Sequence, residues 1–107
     1  MEDNKMERLL VIIDYDADII EVPMYVINNK EQLRLRFLRW LYNRFIRHKY
    51  WVKSKTGIGY RGVRYRSDAF VEWLNKKVLD KSEEKAAVLQ EHVTIEDYKN
   101  ELPSIFF

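Results

Sequence analysis

The sequence predicts an α+β fold. The expected architecture is a small, mostly antiparallel sheet of about three strands, including a 50–66 hairpin, packed with helices at about 30–47, 68–79, 83–93 and 95–101. Three observations lead to it. Residues 8–14 (RLLVIID) form a short apolar run rich in β-branched side chains, the signature of a strand buried on both faces. Between residues 30 and 47 the apolar positions recur at helical spacing. Thr56, Gly57, Ile58 and Gly59 then supply turn chemistry between two segments of strand-forming residues.

In chain order, residues 1–7 are polar and expected to fray. After the first strand come Asp14, Asp16 and Asp18, whose carboxylates would share one side of an extended chain. Ile19 to Ile27 is apolar but interrupted by Pro23, which lacks a ladder donor, so an edge strand or extended connector is expected. Asn28 and Asn29 suit the N-cap of the next helix, with Glu31 in its first turn. At roughly 100° per residue, Leu33, Phe37, Leu41 and Phe45 fall on its apolar side, leaving a polar stripe of Arg36, Arg39, Asn43 and Arg47. On the hairpin, the expected core face is Tyr50, Val52, Val63 and Tyr65. The expected outer face is Trp51, Lys53, Lys55, Arg64 and Arg66.

Ser67 and Asp68 open the helix 68–79, which carries Phe70, Val71, Leu74 and Val78 at helical spacing. Ser82, Glu83 and Glu84 resemble a second helix start, and Thr94 with Asp97 a capping box. Ile105, Phe106 and Phe107 form an apolar end expected to dock on the body or to meet a second copy across a homodimer. A length of 107 residues, with few breakers and no repeat, fits one compact domain over 1–107. The expected core comprises Leu9, Val11, Ile13, Phe37, Leu41, Phe45, Val52, Val63, Phe70 and Leu74.

Charge is distributed unevenly. Residues 30–66 hold 12 of the 19 Lys and Arg residues and one acid, Glu31. Their formal charge of +11 lies between flanks of −5 and −4, so the net +2 conceals a basic middle. The same stretch is rich in Trp, Tyr and Phe. With no Cys, disulfides and thiolate metal sites are excluded, which fits a reducing cytoplasm. No apolar run approaches the roughly 18 residues of a membrane span, and residues 1–8 lack the apolar stretch of a signal peptide. The composition, dense in Lys, Ile, Tyr and Asn, resembles that of small proteins from low-GC bacteria and their phages.

Catalytic and metal motifs fail on physical grounds. Asp14 and Asp16 after an apolar run are similar to the opening of haloacid-dehalogenase-like phosphatases, but the rest of that pattern is missing. A calcium loop would need Gly where Ile19 stands and Glu where Tyr25 stands. The bland reading of these acids is that they solvate a strand end and pair with the basic middle. His48 and His92 have no second His at ligand spacing. Gly57, Gly59 and Gly62 satisfy G-x-G-x-x-G but join two strands and open no helix, so a phosphate cradle loses its basis. No enzyme, cofactor or metal is expected. The remaining signal is a basic, aromatic-bearing surface in residues 30–66. Its candidate binding residues are Arg36, Arg39, Arg47, Trp51, Lys53, Lys55, Arg64 and Arg66. Such a surface suits nucleic acid, through phosphate neutralisation and base stacking on Trp51 or Tyr60. It equally suits a protein-interaction or inhibitor module that docks on an acidic partner protein, or a face that meets the chain's own acidic flanks.

Overall fold

The computed structural model describes residues 6–107. Of the frayed start expected at 1–7, residues 1–5 lie outside the described residues, while Met6 and Glu7 already belong to the first strand. β1 (Met6–Ile13) and β2 (Asp16–Pro23) form an antiparallel hairpin, in register from Met6↔Pro23 to Ile13↔Asp16. Asp14 and Tyr15 make its two-residue turn, with Asp14 at φ 58°. Aspartate tolerates this left-handed region better than most residues, so the turn closes without glycine. β2 is therefore an interior strand, and the expectation of an edge strand or connector fails. Pro23 is accommodated because it stands at the strand's last position, where a ladder donor is dispensable.

β5 (Ala87–Gln90) pairs antiparallel with β2, and β6 (Ser104–Phe106) pairs parallel with β1. The sheet thus has four strands in the order β5-β2-β1-β6 and is mixed. β3 (Trp51–Lys53) and β4 (Tyr60–Val63) form a separate two-stranded antiparallel hairpin, where the glycine turn requires it. Gly57 and Gly59 adopt φ of 78° and 73°, as that turn demands.

The helices are α1 (Met24–Asn28), α2 (Lys30–Leu41), α3 (Ser67–Trp73), continued by a π-helical turn Leu74–Val78, and α4 (Ile95–Tyr98). One sheet face, with Leu9, Val11, Ile20 and Val22, is buried against Leu33, Phe37 and Leu41 of α2 and Phe70 and Leu74 from α3 and its extension. The other face, with Leu10, Ile12, Ala17 and Ile19, is covered by Val93, Ile95, Tyr98 and Leu102. This two-sided cover explains why β1 reads as a continuous apolar run.

Phe37 is fully buried at the centre of an aromatic cluster. Its ring meets Trp40, Tyr65, Phe70, Trp73 and Phe107 at centroid distances of 5.3–6.0 Å. The C-terminal segment docks within the chain, as one of its two expectations required. Ile105 is fully buried, the Phe107 ring joins the Phe37 cluster, and Lys30 Nζ donates to the Ser104 carbonyl at 2.6 Å, whereas Phe106, also expected to pack, is 59% exposed.

Three expected helices change. α2 ends at Leu41 and does not reach 47. Asn43 Oδ1 accepts from the Phe45 amide and its carbonyl from the Ile46 amide, a local turn that competes with helix. His48 Nε2 meets the Leu41 carbonyl at 2.7 Å and occupies a helix-end acceptor. Phe45, expected in the core, is consequently 96% exposed. No helix forms over 83–93. The Asn75 side chain clamps Ala86 through two hydrogen bonds, Nδ2 to its carbonyl at 3.0 Å and its amide to Oδ1 at 2.8 Å. This delivers residues 87–90 to the open edge of β2, whose ladder groups they satisfy. The expected helix 95–101 is a single turn, and Thr94 makes no side-chain cap.

The hairpin register also differs from expectation. Trp51 pairs with Val63, and the Arg64 amide donates to the Tyr50 carbonyl. Direct cross-strand partners project from one side, so Trp51 shares a side with Val63, and Arg64 lies on the opposite side with Val52. Tyr50 is buried, while Ile13, Val52 and Val63 are half-buried.

Truncating Phe37 to Ala should cost about 3–5 kcal/mol, the range for a buried phenylalanine. Phe45→Ala should change stability by no more than about 0.5 kcal/mol, as expected for an exposed position. Denaturant titration of both variants checks the reassignment of Phe45.

Candidate functional site

The basic block is spread over three connected elements. Arg36 and Arg39 are exposed on α2, and Arg36 lies over the Trp73 ring at 5.6 Å. Arg44, Arg47 and Lys49 are exposed in the loop after α2. Lys53 ends β3, Lys55 stands in the turn, Arg61 is on β4 and Arg64 follows it, all exposed.

Among the described residues, only Lys49 and Arg66 of this block form ion pairs, Lys49 with Glu72 and Arg66 with Asp16 and Asp18. Lys30 and Arg34 donate to the carbonyls of Ser104 and Phe106. Arg36, Arg39, Arg44, Arg47, Lys53, Lys55, Arg61 and Arg64 have no acid partner among the described residues. Among the described residues the basic block is not neutralised side chain by side chain.

An aromatic column joins α2 to the hairpin. Trp40 and His48 lie 4.6 Å apart, His48 and Trp51 stack at 5.2 Å with planes 2° apart, and Trp51 and Tyr60 stack at 5.1 Å. Local hydrogen bonds hold its inner members. Trp51 Nε1 donates to the Ile46 carbonyl at 2.8 Å. His48 Nδ1 accepts from the Tyr50 amide while Nε2 faces the Leu41 carbonyl, an arrangement suited to the neutral ring with its proton on Nε2. Tyr60 is 44% exposed. Trp40 and His48 were absent from the sequence-derived site, whereas Tyr60 was expected from sequence as a stacking ring beside Trp51. The column depends on a loop conformation that periodicity does not report.

Two grooves border these elements. One, of about 460 Å³, is lined by Ile13, Asp14, Tyr42, Val52 and the segment 61–65. Burial pushes the Tyr65 hydroxyl there up to about 12, with Tyr42 and Asp14 adding to the shift. The other, of about 470 Å³, has Trp40 and Trp73 in its lining together with Arg47, Lys49, Lys76 and Lys77.

Arg66 leaves the binding surface on which it was expected. It clamps two of the three aspartates: Nη1 donates to Asp16 and Nη2 to Asp18, each at 2.6 Å. Asp18 is 2% exposed and also accepts from Ser67 Oγ at 2.5 Å and the His92 amide at 3.0 Å. Burial pushes its carboxyl up, but the bonds from Ser67, His92 and Arg66 outweigh burial and hold it below the ordinary 3.8. The Arg66 hydrogen bond likewise holds Asp16 down, against a smaller upward push from burial. Asp16 also meets His92 Nδ1 at 3.0 Å. These two aspartates thus tie β2, the start of α3 and the segment after β5 together. Asp14 stands apart in the β1–β2 turn. Among the described residues no three His, Asp or Glu side chains converge as a metal site, and no helix is long and apolar enough to cross a membrane.

The chain matches no family model, no curated protein and no solved structure.

Asp18→Ala should lower stability at pH 7 by at least about 1–3 kcal/mol, because the buried Ser67 hydroxyl loses its acceptor. A carboxyl held down in the folded state contributes stability fully above its unfolded value of 3.8, and that contribution is lost as pH falls through the lower folded value. The gap between wild type and variant should therefore narrow below about pH 4. Denaturant midpoints measured from pH 7 down to pH 3 test this.

Proposed function

We propose that this protein is a non-enzymatic binding module for nucleic acid. Cations of residues 30–66 engage phosphates, and a base stacks on the Tyr60 end of the aromatic column. The observation that carries the reading is the coincidence of two features in one stretch of chain, residues 30–66. The column ends in a half-exposed ring, and eight cations of the same stretch lack an acid partner among the described residues. Unpaired Lys and Arg release counterions on meeting phosphates, which gives affinity without a sequence requirement. An aromatic face accepts any base, because every base has a π-face. Arg47 beside His48, and Lys53 opposite Tyr60, flank the column in sequence and register. They are the first choice for phosphate contacts.

A second reading is supported by Phe45 and Ile58, which are 96% and 83% exposed within the same basic region. Large exposed apolar side chains among cations suit an acidic partner protein with an apolar centre, as an inhibitor or other interaction module would require.

Fluorescence anisotropy with labelled single-stranded and duplex oligonucleotides at several salt concentrations separates the two. Four phosphate contacts would give a log–log salt slope near −3 on single strands. Arg47→Ala with Lys53→Ala should make it shallower by about 1.4. Tyr60→Ala should weaken single-strand binding by about 1–3 kcal/mol and duplex binding less. Absence of binding at low salt would transfer the surface to the acidic-partner reading, in which Phe45 and Ile58 become the contacts to mutate.

A further inference from the structure

The basic block defined by the sequence stops at Arg66, yet the second groove recruits two lysines beyond it. Lys76 and Lys77 lie on the π-helical turn that extends α3, closed by the Leu79 amide on the Leu74 carbonyl at 2.7 Å. Such turns recur at functional sites. Here its orientation is set by Asn75, whose side chain is committed to the Ala86 backbone, while Lys76 and Lys77 are exposed. Across the groove lie Arg47, His48 and Lys49 from the loop that ends α2. Glu72 is the only acid in the lining. It is already engaged by the Tyr50 hydroxyl at 2.8 Å and by Lys49 at 3.3 Å. The Tyr50 bond holds its carboxyl below the ordinary range. Arg47, Lys76 and Lys77 thus face one cavity whose single acid, Glu72, is already bonded to Tyr50 and Lys49.

We propose that this groove is a phosphate seat for single-stranded nucleic acid. The inference rests on the nucleic-acid reading above and extends it to Lys76 and Lys77. A cavity of about 470 Å³ admits a nucleotide's sugar and phosphate, within the usual 300–1,000 Å³ of ligand pockets. It is far too small for a duplex to enter. Its lining includes Trp40 and His48, the inner end of the aromatic column. The same strand therefore places phosphates in the groove and bases toward the Trp51–Tyr60 end. Flexible single strands follow such a path of alternating charge and rings, and stiff duplexes do not.

The test is anisotropy with a labelled oligothymidylate across a salt series, on the full chain. Lys76→Ala with Lys77→Ala should lower the affinity and make the salt slope shallower by about 1.4, two contacts at roughly 0.7 each. Lys76→Arg with Lys77→Arg should restore the slope. Lys81→Ala with Lys99→Ala, which removes equal charge outside the groove lining, should leave the slope near wild type. Circular dichroism melts confirm that each variant is folded. If the alanine pair binds with the wild-type slope, the groove is refuted while the binding module of residues 30–66 stands. If wild type binds no oligonucleotide at low salt, the nucleic-acid reading falls first. Titration with inorganic tripolyphosphate then decides the groove itself. Binding that is lost in the alanine pair retains it as a seat for polyphosphate anions, and no binding to wild type overturns it.

Discussion

The rest of the structure depends on the burial of β1 from every direction. β2 and β6 hydrogen-bond to its two edges, and apolar layers cover its two faces. The middle of the strand, Leu9 to Ile12, is thereby buried, so each neighbour is held by what it contributes to the cover. The last residues of the chain become a parallel strand because one edge of β1 would otherwise present unpaired amides and carbonyls. Phe107 then enters the Phe37 cluster beside Phe70. That cluster fixes α2 against α3, and hence Trp40 at the base of the aromatic column.

Electrostatic neutralisation is local in this protein. Among the described residues the acidic flanks supply Asp16, Asp18 and Glu72 to only two members of the basic block, Arg66 and Lys49. Asp18 is buried and accepts hydrogen bonds from Arg66, Ser67 and the His92 amide, which offsets the cost of holding a carboxylate away from water. It secures the joint between β2 and α3 and engages Arg66, which is ion-paired with both aspartates. The cations without an acid partner among the described residues are Arg36 and Arg39 on α2 and others on the loop after α2 and on the hairpin. There the same segment that breaks the helix at Leu41 also builds the column. Helix termination and site construction are therefore one event, governed by Asn43, His48 and the Trp51–Ile46 bond.

Much was legible in local sequence. The β-branched run of β1, the 3.6-residue period of α2 as far as Leu41, the glycines of the β3–β4 turn and the start of the helix near Ser67 each act within a few residues. Their propensities agree with their tertiary roles. The basic and aromatic character of residues 30–66 was equally plain. Propensity alone misplaced residues 83–93, because the competitor was the open edge of β2, some 70 residues earlier in the chain.

What the sequence by itself determined is the set of segments and their chemistry: an apolar strand, an amphipathic helix, a glycine-turned hairpin and a basic middle. What only the tertiary structure decided is which of these groups meet. Arg66 and Asp18 are 48 positions apart, Lys30 and Ser104 are 74 apart, and His92 and Asp16 are 76 apart. Local periodicity carries no information over such distances. The choice between exposed cation and buried ion pair, or between helix and edge strand, rests on which unsatisfied partner the folded chain brings near.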